Sequence, residues 1–202
     1  MCETGSPSVT DKLRILIAGA GIGGLTAALA LLRRGFDVEL FEQADELREI
    51  GAGIQLGPNG SRILLALGLG PAMREVVAEP TMKEVRLWST GESWKLYDLG
   101  LDSLERFGAP YWMVHRGDLH RVLWQAVERV RPGALRLASR AVACAEGDGG
   151  AVLELEGGKR AEGDLVIGAD GVHSRLRTHM FGAAEPEFTG LMAWRGVVPL
   201  ER

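Results

Sequence analysis

The run Leu13-Arg-Ile-Leu-Ile-Ala18, breaking into Gly19-Ala-Gly-Ile-Gly-Gly24, leaves the chain few ways to fold. A near-continuous aliphatic run suits a parallel strand covered on both faces. Gly19 allows a tight turn after it, Gly21 lets the backbone approach a pyrophosphate, and Gly24 lets the next helix pack close to the strand. Leu25 to Arg34 is rich in strong helix formers, and Gly35 stands where a helix C-terminal cap belongs. The N-terminus of that helix offers free N–H groups and about half a positive charge to an anion. Asp37-Val-Glu-Leu-Phe-Glu42 reads as a second strand. Glu42 at its end can accept hydrogen bonds from a ribose, and its charge disfavours an added 2′-phosphate. A glycine pattern alone is weak, but strand, helix and acid agree here on one dinucleotide-binding unit. They leave open whether FAD or NAD is bound.

Composition narrows the partners. The chain has 202 residues, 46% of them hydrophobic and 25% charged, with a net charge of −4. That is enough for one good core or one and a half domains. No basic stripe is visible, so nucleic acid is not an expected partner. Cys2 and Cys144 lack metal-ligand spacing, so no metal site is expected, and a reducing cytoplasmic setting fits them best. Residues 1–11 read as a flexible tail without the basic start and apolar stretch of a signal peptide. The apolar run Leu25–Leu32 is too short to span a bilayer.

Beyond Glu42, the glycines of Gly51-Ala-Gly-Ile-Gln-Leu-Gly-Pro-Asn59 rule out a long regular element. Pro58-Asn59 opens a helix with Ile63, Leu64 and Leu67 on its apolar face, and Pro71 opens a shorter one through Met73, Val76 and Val77. Lys83–Trp88 and Ser93–Asp98 alternate in character around Ser-Thr-Gly-Glu, which predicts a β-hairpin. Tyr111–Val114 reads as a strand. Leu119, Val122, Leu123, Ala126, Val127 and Val130 then mark one face of a helix stopped by Pro132-Gly133. Leu135–Ala143 and Ala151–Glu156 read as strands around a flexible turn, and Asp164–Gly168 as a second buried strand. Ser174 is placed to cap a short helix, Arg175–Met180. The segment 190–199 looks like a strand entering a sheet. Trp88, Trp94, Trp112 and Trp194 read as core and sheet packing, His115 and His173 as local hydrogen-bonders, and Arg48 and Glu49 as surface charges. The order βαβ, hairpin region, return to the first sheet predicts an α/β fold with an interleaved, β-rich second layer.

Four segments together carry a family resemblance: the Gly19/Gly21/Gly24 loop, Gly51–Asn59, His115-Arg-Gly-Asp-Leu119 and Gly163-Asp-Leu-Val-Ile-Gly-Ala-Asp-Gly171. From about Lys12 onward the chain resembles the group A, FAD-dependent aromatic hydroxylases, and within them the salicylate hydroxylase and 3-hydroxybenzoate 6-hydroxylase branch. The resemblance implies a Rossmann-like FAD-binding βαβ domain over 12–180 with an inserted hairpin region at about 80–114. Residues 181–202 would begin a substrate-side sheet. It implies that Gly19, Gly21 and Gly24 hold the FAD pyrophosphate, that Glu42 holds the adenosine ribose and that Arg116 lies against the flavin. Asp170 would serve both FAD and the transient binding of NAD(P)H, and Gln55 is a candidate to face the flavin ring or substrate. Read from the residues alone, Arg116 is equally a solvated arginine at a helix start, and Asp170 a turn-forming Asp-Gly with no ligand. The family carries a further Gly-Asp-Ala-Ala-His-like motif that this sequence lacks, so the chain is expected to be a truncated, N-terminal part.

The implied activity is FAD-dependent hydroxylation of a phenolic or heteroaromatic acid with NAD(P)H and O₂, on a small aromatic substrate and without a membrane partner. No catalytic base is singled out by the residues. Two alternatives stand beside it: a flavin epoxidase or hydroxylase of a larger lipid or polyketide, and a non-catalytic FAD-binding fragment.

Overall fold

The computed structural model describes residues 12–47, 52–147, 149–183 and 187–192. Strand β1 (Arg14–Ala18) leads into helix α1 (Ile22–Leu32) and strand β2 (Asp37–Phe41). Then follow β3 (Gly53–Leu56), α2 (Pro58–Ala66), α3 (Gly70–Arg74), β4 (Val77–Ala78) and the pair β5 (Met82–Arg86) and β6 (Ser93–Asp98). Helix α4 (Leu101–Phe107), strand β7 (Trp112–His115) and helix α5 (Arg116–Val130) come next. The chain closes with β8 (Leu135–Arg136), β9 (Ala141–Gly147), β10 (Gly150–Leu155), β11 (Arg160–Gly163), β12 (Leu165–Gly168) and α6 (Arg175–Phe181). These elements fall into two compact units, divided among the described residues into 12–46 with 127–187 and 47–126 with 188–192.

The first unit is built on a four-stranded sheet in the order β12-β1-β2-β8. Its three pairings are all parallel, with Ile15 opposite Leu165 on one side and Val38 on the other. The aliphatic β1 is central, and Leu16, Ile17 and Ala18 are fully buried, as a strand covered on both faces requires. Helix α1 buries Gly24, Leu25, Ala28 and Leu29, a stripe at helical spacing. Gly35, at φ +91°, lets the chain turn out of α1, its N–H bonding the carbonyl of Leu32. A second, antiparallel sheet runs β11-β10-β9. Phe41, Leu16 and Ala18 of the first sheet, Ala141, Leu153 and Leu155 of the second, and Leu176 of α6 form one core cluster. Glu39 faces out of this core into an ion pair, with Arg14 Nη2 at 2.7 Å and Arg136 Nε at 3.5 Å.

The second unit holds a three-stranded antiparallel sheet, β3-β7-β4, and the separate hairpin β5–β6. Its buried side chains include Leu64, Leu67 and Met73 from the helical hairpin, Trp112 and Val114 from β7, and Leu119, Val122 and Leu123 from α5. Buried hydroxyls find carbonyls: Ser61 Oγ donates to Pro110 O at 2.6 Å, and Ser103 Oγ to Ala109 O at 3.0 Å. This satisfies groups that would otherwise carry a desolvation cost.

Several expectations need correction. The stretch Leu135–Ala143 is not one strand: β8 ends at Arg136 and β9 starts at Ala141 in the other sheet. Between them Ala138 takes φ +48°, and its N–H bonds the carbonyl of Ala44. Strand β12 is an edge of its sheet among the described residues, with Leu165 half-exposed, so it is not the buried strand its composition suggests. Ile63 and Val130 point to solvent although their helical spacing matched the apolar faces, and α3 ends at Arg74, leaving Val77 to β4. Of the tryptophans, Trp112 is 2% exposed and packs as expected, whereas Trp88 is 95% and Trp94 49% exposed. Residues 187–192 contain no strand. The tail 1–11 with Cys2, the charges Arg48 and Glu49, Trp194 and the rest of the expected strand at 193–199 lie outside the described residues.

Candidate functional site

A cavity of about 160 Å³ opens in the first unit, and it is lined by Gly19, Gly21, Phe41, Glu42, Gln43, Arg140, Ala141, Ala169, Asp170, Gly171 and Arg175. It lies where β1, β2 and β12 end and α1 begins, at the carboxyl edge of a parallel sheet. Ligand crevices of α/β proteins form at that edge. The space is smaller than the about 300–1,000 Å³ of whole small-molecule pockets, so it suits one part of a dinucleotide.

The three loop glycines are needed for different reasons. Gly19 has φ +101°, and a Cβ there would sit 2.3 Å from the carbonyl oxygen of Ala169. Gly24 lies on the inner face of α1, where a Cβ would come within 2.0 Å of the Gly19 carbonyl oxygen. Both positions therefore hold strand ends and helix in close backbone contact. Gly21 is the opposite case: a Cβ there meets nothing within 4 Å. No protein packing demands a glycine at that position, and its bare backbone faces the cavity it lines.

Gly21 is also the N-cap of α1, and no side chain caps the helix or places an acid in its first turn. The first N–H groups of an α-helix have no intrahelical acceptor. An anion at this end would receive them and the positive end of the helix dipole. The cradle left open beside Gly21 and the uncapped helix end suit the diphosphate of FAD.

The two acidic residues expected here both border the cavity, and both carboxylates are held by their own chain. Glu42 Oε2 accepts from the Ala20 N–H at 2.8 Å and Oε1 from the Ala44 N–H at 3.0 Å. The carboxylate thus clamps the middle of the glycine loop to the end of β2. Asp170 Oδ1 accepts from Ser174 Oγ at 2.6 Å, and Oδ2 from the Leu176 N–H at 3.2 Å. Ser174 Oγ in turn accepts from the Arg177 N–H at 2.9 Å, which is the expected cap of α6. Each carboxylate oxygen keeps a second lone pair for a ligand.

Gly19, Gly21, Gly24, Glu42 and Asp170 are thus drawn together in the first unit. Arg116 belongs to the second unit, as the first residue of α5, with its N–H on the carbonyl of Ala52 at 3.1 Å. Gln55 is in the same unit, its Oε1 accepting from the Tyr111 hydroxyl at 2.7 Å. The cavity also has three polar side chains that the sequence did not single out: Gln43, Arg140 and Arg175. Arg175 follows the Ser174 cap directly, a position that could have flagged it. Nothing local marks Arg140, which reaches the cavity only because the chain crosses between sheets after Ala138.

The chain belongs to the FAD binding domain family, whose model matches residues 12–200. It is 40% identical over 192 residues to a 3-amino-4-hydroxybenzoate 2-monooxygenase of Streptomyces platensis, covering 95% of this chain and 48% of that protein. It is 38% identical over 188 residues to a 6-hydroxynicotinate 3-monooxygenase of Bordetella bronchiseptica, covering 93% and 48%. Among solved structures it is similar to HpxO of Klebsiella pneumoniae complexed with FAD and uric acid. That match has a TM-score of 0.68 and 32% identity, and covers 82% of this chain and 41% of that one. The chain spans about half the length of the curated relatives it matches. No helix of the described residues is long and apolar enough to cross a membrane.

Proposed function

We propose that the protein works as an FAD-dependent monooxygenase that hydroxylates a phenolic or heteroaromatic acid with NAD(P)H and O₂. The observation that carries this reading is the open, side-chain-free approach at Gly21 beside the uncapped N-terminus of α1. The relatives named above, which act on hydroxylated aromatic acids, support the substrate class. FAD, when bound, supplies hydride acceptance from NAD(P)H and the activation of O₂.

This chain's own residues bind and orient. The Rossmann-like βαβ unit β1-α1-β2 presents Gly19 and Gly21 to the diphosphate, with Gly24 holding α1 close enough for its first N–H groups to reach it. Glu42 accepts from the adenosine ribose with the lone pairs left free by Ala20 and Ala44. The family resemblance assigns Asp170, just beyond β12, to FAD and NAD(P)H and Arg116 to the flavin, where a planar guanidinium would suit an oxygen of the ring or the phosphate. On this reading 12–180 is the FAD-binding domain, the region of about 80–114 is inserted in it, and residues from 181 belong to the substrate side. The acidic charge balance supports an enzyme without a nucleic-acid partner, and Cys2 and Cys144, without metal-ligand spacing, fit a reducing, cytoplasmic setting.

The test has two stages. The purified chain is mixed with FAD, freed of unbound ligand and read by absorption, and retained flavin bands are expected. NAD(P)H oxidation by the full-length protein is then followed over a panel of hydroxybenzoates and hydroxynicotinates. Stimulation by at least one acid is expected, and a flavin-loaded enzyme indifferent to the whole panel would reject the substrate class.

A further inference from the structure

The nucleotide cavity carries two guanidinium groups that the reading above leaves without a task. Arg140 and Arg175 line it together with Glu42 and Asp170. Both carboxylates accept from donors of their own chain, and among the described residues neither guanidinium forms an ion pair with them. Arg140 is turned towards Glu156: its carbonyl accepts the Glu156 N–H at 2.8 Å, and its Nε lies 4.0 Å from that carboxylate. Arg175 makes no ion pair among the described residues.

The backbone that bears Arg175 is fixed from both sides. Asp170 receives the Ser174 hydroxyl and the Leu176 N–H, Ser174 receives the Arg177 N–H, and Leu176 is buried in the core cluster. Arg175 stands between these anchored neighbours with an exposed side chain at the cavity wall. A long cation on a rigid base, beside a helix N-terminus that no side chain caps, is a pre-organised phosphate contact. The guanidinium fork matches phosphate oxygens in bidentate fashion.

We propose that Arg175 is a further cofactor-contacting residue, its guanidinium donating to the diphosphate of the nucleotide bound in this cavity. The proposal rests on the FAD reading given above. It adds a side-chain cation from α6 to the backbone donors of α1.

The test is FAD titration of the full chain, followed by flavin fluorescence, in wild type, Arg175→Gln, Arg175→Lys and the charge control Arg33→Gln. ADP and adenosine are added as competitors. Arg175→Gln should weaken FAD and ADP about tenfold, as loss of a charge-assisted pair to phosphate does. Arg175→Lys should fall between, Arg33→Gln should match wild type, and adenosine, which has no phosphate, should compete equally in all. The deficit should shrink as salt is raised. Equal FAD affinity in Arg175→Gln and wild type would overturn the proposal. So would an equal loss for adenosine, since the contact would then not be to phosphate. A wild-type chain that binds no FAD overturns the underlying reading, and the proposal with it, whereas failure in the variants alone leaves that reading standing.

Discussion

Replacing Gly24 by alanine separates two jobs that glycine does in this loop. A Cβ at Gly24 would lie 2.0 Å from the Gly19 carbonyl oxygen, about 1 Å short of the 3.0 Å below which real Cβ atoms essentially never come. The obstacle is backbone, and that backbone is held: the Gly19 N–H bonds Phe41 O at 2.8 Å, and a Cβ on Gly19 would itself meet Ala169. Neither α1 nor the loop can yield without disturbing β1 or β12. Overpacking of this kind costs about 1–3 kcal/mol, and a fixed backbone atom puts the case at the upper end. Alanine returns up to about 1 kcal/mol of helix propensity. The net loss is therefore about 2 kcal/mol, a fall of about 4–8 °C in Tm for a chain of this length. Gly23 is the internal control, because it lies in the same helix turn and a Cβ there meets nothing within 4 Å. Gly23→Ala should gain up to about 1 kcal/mol from the same propensity. Urea unfolding of the two variants without FAD should therefore split them by about 3 kcal/mol. A Gly24→Ala chain as stable as Gly23→Ala would refute the claim that close helix–strand contact is what this glycine serves.

Three further outcomes follow from the same structure. Gly21→Ala should leave the stability of the ligand-free chain within about 0.5 kcal/mol, while weakening FAD at least about tenfold in a fluorescence titration, since only a ligand meets the new methyl. Ser174→Ala removes the α6 cap and the hydroxyl on Asp170, and should cost about 1 kcal/mol in urea unfolding. Leu16→Ala removes a fully buried side chain from the centre of β1 and should cost about 2–5 kcal/mol, measured the same way.

Much of the site could be read from local pattern because its parts are close in sequence and chemically constrained. The stretch from Arg14 to Phe41 carries its own strand period, loop glycines, helix formers and second strand, and β1, α1 and β2 form as that pattern dictates. Ser174 is likewise a cap whose bond partner is three residues away. The hairpin β5–β6 and the buried face of α5 follow from alternation and helical spacing in the same way.

What local pattern does not carry is the partner across the fold. The residues of Leu135–Ala143 suit extended backbone throughout, and only the competition between β2 and β10 for hydrogen bonds splits them into β8 and β9. Leu165 and Leu16 are both strand leucines, but β12 is an edge and β1 is central, so one is half-exposed and the other buried. Trp88 and Trp112 are equally apolar, and only the surrounding packing leaves the first in solvent and buries the second. The carboxylates show the same division. Composition puts Glu42 and Asp170 at strand ends, while the N–H groups that orient them come from Ala20 and Leu176. Sequence thus nominates some of the residues for a nucleotide site. The tertiary structure decides which way they face, because hydrogen bonds and burial are settled between segments that are distant along the chain.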